Sequence, residues 1–376
     1  MKHYIVLLIV TITLLNLVDA YYYKTNINDN DRPQLKYRPD GTFKIVQFTD
    51  LHYGEQDSYD KLNAKSEEAI IAAENPDFVM FSGDMISGYN KHFYDVNFYN
   101  TIWDTLTEPL RKRNLPWAIT FGNHDAEGQL NSAQLMNLDR SYNLSLNNEP
   151  ASLIYSFDSD TYACEKDERW GCIHPAQVEW YQNQSTHYNM LPAIAFVHVP
   201  PVEMIDLWNN HEVVGDFGDN GVCCYYSFDS KFVSTMVERK DIKGLYFGHD
   251  HRNDFVGDYY GVQLGYGRKT GYGSYDPKYP EGARVFLLNE KPYNFTTWIR
   301  NVHGQVETQR THKPHPQDPA PSICCVPLDH TPYFAIYLGV FGFIMIVLFL
   351  TQRGMFRTSP PSSPSGSGSY HQLLKL

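Results

Sequence analysis

From residue 43 to residue 288 the chain alternates short apolar runs with longer segments of helical spacing. "FKIVQFTD", Phe43 to Asp50, reads as a strand that stops on a carboxylate. "YDKLNAKSEEAIIAAENPD" follows with helical periodicity and ends at Asn75-Pro76, because a residue before proline is held out of the α region. "FVMFSGD" is a second strand, "DVNFYNTIWDTLTEPLRKRN" a second helix and "PWAITFGNHD" a third strand. The block from Ala126 to Tyr188 is more polar and irregular, and within it Pro175 sits where helices begin, so "HPAQVEWYQNQ" reads as a short surface helix. "AIAFVHVP" and "GLYFGHDH" supply a fourth and a fifth strand, after which "GVQLGYGRKTGYGSYD" and "ARVFLL" read as β-hairpin material around a glycine-rich connection. This alternation predicts a mixed α/β domain, and no internal repeat interrupts it.

The polar residues fall at the ends of the apolar runs. In order, the five strands stop at Asp50-Leu-His52, Gly83-Asp84, Gly122-Asn123-His124-Asp125, His198 and Gly248-His249-Asp250-His251. In an open α/β sheet, ligands gather beyond the carboxyl ends of the strands, so these groups are expected to meet in one crevice. Residues i and i+2 of an extended segment share a side, which lets Asp50 with His52, and His249 with His251, each aim two groups inward. Carboxylate, amide oxygen and imidazole together suit borderline metals such as zinc, manganese or iron. Seven donors are too many for one tetrahedral ion and suit two ions that share a carboxylate. Taken singly each element is weak, since two histidines after a strand are as often ordinary loop residues. Only their order along one chain carries weight.

That ordered set, D-x-H, G-D, G-N-H-D, H and G-H-x-H, resembles the signature of calcineurin-like metallophosphoesterases. "KIVQFTDLHYGE" and "GLYFGHDHRNDF" are similar to the purple-acid-phosphatase-like branch. The resemblance implies a four-layer β-sandwich of two mixed sheets flanked by helices. It further implies that Asp50, His52 and His251 hold one ion, that Asn123, His198 and His249 hold a second, and that Asp84 bridges them. His124 would approach the phosphate and the leaving oxygen, with Asp125 as its orienting partner. Asn123 would also lie against the substrate, and Arg268 in "GYGRKTGYG" is a candidate phosphate contact. Purple enzymes carry an iron-ligating tyrosine three residues after the bridging aspartate; here that position is Ser87, so no purple centre is expected. The implied activity is hydrolysis of a phosphate ester, with a phosphomonoesterase favoured. A phosphodiesterase acting on nucleotides or lipid headgroups, and a binding protein that is catalytically silent, remain the alternatives.

The chain ends place this domain in the cell. "MKHYIVLLIVTITLLNLVDA" has a basic residue, an apolar core and small residues at Val18 and Ala20, which predicts a signal peptide over residues 1–20; an uncleaved anchor is the alternative. "YFAIYLGVFGFIMIVLFL", from Tyr333 to Leu350, carries no charge and at about 1.5 Å per residue would reach about 27 Å, close to a bilayer core. Arg353 and Arg357 follow it, so the positive-inside rule predicts a type I membrane protein with a cytosolic C-terminus. The expected organisation is a lead-in over 21–42, a lumenal or extracellular domain over 43–311, a proline-rich stalk over 312–332, a membrane helix over 333–351 and a disordered cytosolic tail over 352–376. Within that tail Tyr370 and Leu373 match a tyrosine-based sorting signal for a cytosolic adaptor, consistent with the cell surface or the endolysosomal system.

Six cysteines would then meet an oxidising environment; sequence leaves their fifteen pairings open, with Cys164 and Cys172 the favoured short loop. Sequons begin at Asn143, Asn183 and Asn294. The net charge of −12 argues against a nucleic-acid-binding surface.

Overall fold

A computed structural model describes residues 35–142, 152–161, 170–218, 221–222, 230–274 and 279–316, with the backbone of 371–375. In chain order the strands are β1 (Thr42–Phe48), β2 (Phe78–Ser82), β3 (Trp117–Thr120), β4 (Leu153–Phe157), β5 (Ala193–Phe196), β6 (Val213–Val214), β7 (Ile242–Phe247), β8 (Val256–Tyr259), β9 (Val262–Tyr266), β10 (Gly282–Asn289), β11 (Asn294–Asn301), β12 (Thr311–His312) and β13 (His371–Lys375). The α-helices are α1 (Asp57–Glu74), α2 (Val96–Arg111), α3 (Ser132–Arg140), α4 (Pro175–His187), α5 (Glu203–Asn210) and α6 (Phe232–Arg239). Helix α1 ends at Asn75 in the left-handed conformation, and Pro175 occupies the first turn of α4, as the sequence anticipates.

The strands form two mixed sheets, one ordered β11-β10-β1-β2-β3 and one ordered β12-β6-β8-β9-β7-β5-β4-β13. Alternation along β5 explains why its sequence is uniformly apolar. Ile194 and Phe196 join a core shared with the first sheet, whereas Ala193 and Ala195 join a second core with α4, α5 and α6. A strand covered on both faces has no polar side to display. Phe286 of β10 meets Phe196 at 5.6 Å and Tyr246 at 4.4 Å, edge to face, and so locks the two sheets together. Beside this apolar contact, Gln47 Nε2 of β1 donates to Phe247 O of β7 at 3.1 Å. Helix α1 buries Glu67 with Ile70 and Ile71, and α2 adds Ile102, Trp103 and Leu106 to the first core.

Several expectations are corrected. The segments "GVQLGYG" and "ARVFLL" do not form a hairpin with one another: β9 pairs with β7 and β8, and β10 returns to pair with β1 and β11. The first residues of the expected stalk belong to the domain, since His312 pairs with β6 and His315 N–H donates to Asn209 O at 2.9 Å. The expected disordered tail contains β13, antiparallel to β4, with Leu373 opposite Tyr155. Residues 1–20, 333–351 and Tyr370 lie outside the described residues, among which no helix is long and apolar enough to cross a membrane. Cys172 is disulfide-bonded; Cys164 lies outside the described residues. Asn183 on α4 and Asn294 at the start of β11 are exposed, and Asn143 is outside the described set.

Candidate metal centre

The carboxyl ends of β1, β2, β3, β5 and β7 converge, each delivering its polar cluster to one crevice between the sheets. Donor atoms of Asp50, His52, Asp84 and His251 lie within 4.8 Å of one another, and so do those of Asp84, His198 and His249. Asp84 is common to both groups. His198 Nε2 stands 3.1 Å from Asp84 Oδ2, His52 Nε2 3.8 Å from the same oxygen, and His251 Nε2 3.2 Å from Asp50 Oδ1.

The backbone is bent to bring them there. Asp50, His52, Asp84 and His249 all adopt left-handed conformations, with φ of 54°, 53°, 50° and 73°. Such a conformation costs a residue with a Cβ on the order of 1 kcal/mol, so four in one cleft mark strain held for a purpose. Glycines give the necessary room. A Cβ on Gly122 would collide with Asp84 Oδ1, and one on Gly248 with Thr49 Oγ1 and Asp50 Oδ2.

Asn123 is the most telling member. It is fully buried, and neither its Oδ1 nor its Nδ2 has a hydrogen-bond partner among the described residues. A buried amide without a partner costs a few kcal/mol, which a cation accepted by Oδ1 would offset. Electrostatics agree. Burial opposes charge on His198, but Asp84 and Asp50 outweigh it and raise its pKa to about 10, so the proton acts as their counter-cation. Burial, joined by the charge of His198, lowers His249 to about 3; burial with nearby Lys269 lowers His251 to about 4. Neutral imidazoles beside ionised carboxylates are the state in which metal ligands bind.

Ser87 is not among the donors. Its Oγ lies 3.0 Å from His52 Nδ1 and donates to Glu55 Oε1 at 2.8 Å, so it fixes the ring from behind.

His124 stands at the opening, with its backbone N–H donating to Asp84 Oδ1 at 2.8 Å. Its orienting partner is Glu127, whose Oε2 is 2.6 Å from His124 Nδ1, and not Asp125. Burial disfavours the charged ring, yet Asp84 and the Glu127 hydrogen bond raise its pKa. Asp125 instead accepts backbone N–H groups from Gly122 at 2.7 Å, Asp84 at 2.9 Å and Ile86 at 3.1 Å, tying two ligand loops together. Arg268 is also reassigned. Its guanidinium is 2% exposed, pairs with Asp254 and Glu307 and donates to Pro280 O, so its cation is committed within the fold. Its neighbour Lys269 reaches the site, donating to Asp50 O at 3.0 Å. Glu127, three residues after His124, carried a legible spacing for a pair; Lys269 carried no signal beyond adjacency.

A sandwich of two mixed sheets with seven Asp, Asn and His donors at its strand ends defines the metallophosphoesterase class. The chain belongs to the calcineurin-like phosphoesterase family, whose model matches residues 43–253. It is 28% identical to "Probable inactive purple acid phosphatase 28" of Arabidopsis thaliana over 76% of this chain and 86% of that protein. It is 24% identical to "Phosphatase DCR2" of Saccharomyces cerevisiae over 60% of this chain and 47% of that one. Among solved structures, a dimetal phosphatase from Danio rerio shares the fold with a TM-score of 0.51 at 14% identity, over 72% of this chain and 98% of that one.

Proposed function

We propose that this chain hydrolyses phosphate monoesters at a two-metal centre. The observation that carries the reading is the pair of donor groups sharing Asp84, with the buried, unpartnered amide of Asn123 next in chain to Gly122, which packs on Asp84 and His198. Asp50, His52 and His251 would hold one ion, His198, His249 and Asn123 the other, and Asp84 both. Zinc, manganese and iron all suit this donor set. When bound, such a pair supplies Lewis-acid charge and an activated water for in-line displacement at phosphorus.

The chain's own residues do the rest. Asn123 would also lie against the phosphoryl group. His124, at the opening, holds a proton whose position is set by Glu127: with Nδ1 on that carboxylate, Nε2 is left to protonate the departing oxygen. Lys269, donating to Asp50 O, steadies the left-handed turn from which Asp50 projects. The disulfide at Cys172 and the exposed sequon residues Asn183 and Asn294 support an oxidising, lumenal or extracellular setting.

The purified protein should hydrolyse an aryl phosphate monoester when supplied with manganese or zinc, lose that activity to chelator, and act less well on a bis-aryl diester. Turnover equal to that of an Asp84→Asn, His249→Ala double variant would refute the reading. A preference for the diester would move it to the phosphodiesterases.

A further inference from the structure

Exposure rises sharply at the mouth of the crevice. Asp50, His52, Asp84, Asn123 and His198 are buried, whereas His124 keeps 25% of its side chain open and Tyr89 is 43% exposed. Two aromatic rings border His124 there. Tyr89 stands 5.0 Å from its ring at 77°, and Trp170, itself partly exposed, 5.4 Å at 66°. Tyr89 is exposed yet not loose: its hydroxyl donates to Glu55 Oε1 at 2.5 Å and lies 3.2 Å from Ser87 Oγ. Glu55 in turn accepts the Ser274 N–H at 2.8 Å and 2.9 Å. An exposed aromatic pinned at its tip is a pre-organised platform, because little freedom is lost when a second ring lies on it.

Two carboxylates are bonded to these rings, Glu127 to His124 and Glu55 to Tyr89. Glu127 and Glu55 stand at the opening, while Lys269 is 2% exposed and Arg268 is spent on Asp254 and Glu307. A leaving group with further negative charge would meet the carboxylates of Glu127 and Glu55; an uncharged flat ring would meet the aromatic side chains of Tyr89 and Trp170.

We propose that Tyr89 and Trp170 form a leaving-group subsite for an uncharged aromatic ring, so that the favoured substrate is a monophosphate ester of an aromatic alcohol. This rests on the phosphoesterase reading above. The alternative, that both rings merely pack on His124, predicts no preference between aromatic and saturated ligands of equal size.

The test uses the full-length, metal-loaded protein and calorimetric binding of benzylphosphonate against cyclohexylmethylphosphonate. The two carry the same charge and nearly the same bulk and differ in the π face. The wild type should bind the benzyl compound tighter, by roughly twofold to tenfold for each ring engaged. Tyr89→Leu and Trp170→Leu should each remove part of that preference while methylphosphonate binds as before, and Tyr89→Phe, which keeps the ring, should retain most of it. Equal affinity for the two phosphonates in the wild type, a preference that survives both leucine variants, or failure of both phosphonates to bind would overturn the subsite. Benzyl phosphate and cyclohexylmethyl phosphate then separate the two readings: the preference should fall in KM with kcat similar. Aromatic-selective binding with neither ester turned over would leave the subsite standing and refute the hydrolase; turnover of both esters with equal KM would do the reverse.

Discussion

Glu67 lies on the inner face of α1 with no exposed surface, and Tyr53 Oη–H donates to its Oε1 at 2.6 Å. Its Oε2 is buried with no hydrogen-bond partner among the described residues. Burial raises the carboxyl from its ordinary 4.5 to about 8, against a smaller lowering by the Tyr53 hydrogen bond. A carboxyl raised in this way penalises the fold as pH increases. Between 4.5 and 8 the unfolded chain releases a proton that the folded chain keeps, so stability falls by about 1.4 kcal/mol per pH unit across that window and is flat on either side. At pH 7 the accumulated cost is roughly 3 kcal/mol, and above pH 8 roughly 5 kcal/mol. Glu67→Gln removes the titration while keeping an acceptor for Tyr53 and the side chain's volume. The expected outcome is a variant as stable as wild type near pH 4.5 and more stable by a few kcal/mol at pH 7, with the gain growing through the interval. Urea midpoints measured at pH 4.5, 6, 7 and 8 would read it, the slope m staying constant. Asp60, raised to about 6 by burial, titrates in the same range but is present in both proteins and cancels in the difference. A gain independent of pH, or a variant weaker than wild type at pH 7, would refute the reasoning.

Four further outcomes follow from the site and its surroundings. Glu127→Gln should lower kcat for an alkyl monoester by roughly tenfold to a hundredfold, and less for an aryl ester whose leaving group needs no proton, with steady-state kinetics as the readout. By contrast Asp125→Asn should destabilise the fold by about 2–4 kcal/mol in urea unfolding, because its carboxylate collects three backbone N–H groups. Gly122→Ala should displace Asp84 and lower the bound-metal stoichiometry measured by elemental analysis. Arg268→Met should leave KM unchanged but cost about 3–5 kcal/mol of stability, since it strands the buried Asp254 carboxylate.

The crevice was legible in the sequence because each donor cluster directly follows an apolar run. The strand end is a local property, and the gathering of five such ends in one place follows from sheet architecture. What the sequence left open was pairing at a distance. Nothing local tells β10 to cross back to β1 rather than fold onto β9, since both strands offer the same alternation. Arg268 drew attention as a cation in a glycine-rich segment and a candidate phosphate contact, but its fate is set by Glu307, 39 residues away. Asp125 and Glu127 were equally placed to serve His124. Backbone N–H groups from two loops claimed the first and left the second free to pair with the imidazole.

The division of donors between the sheets has a consequence for assembly. Asp50, His52, Asp84 and Asn123 follow strands of the first sheet, whereas His198, His249 and His251 follow strands of the second. Each expected ion therefore draws ligands from both, and Asp50 and His249 are 199 residues apart. An ion held in this way is a cross-link that closes very long loops, and its binding energy becomes stability of the sheet-to-sheet joint. During synthesis neither ion can be fully coordinated until the segment beyond β7 has emerged. Metal loading thus reports completion of the sandwich, and a chain stopped before His249 would be born without its fastener.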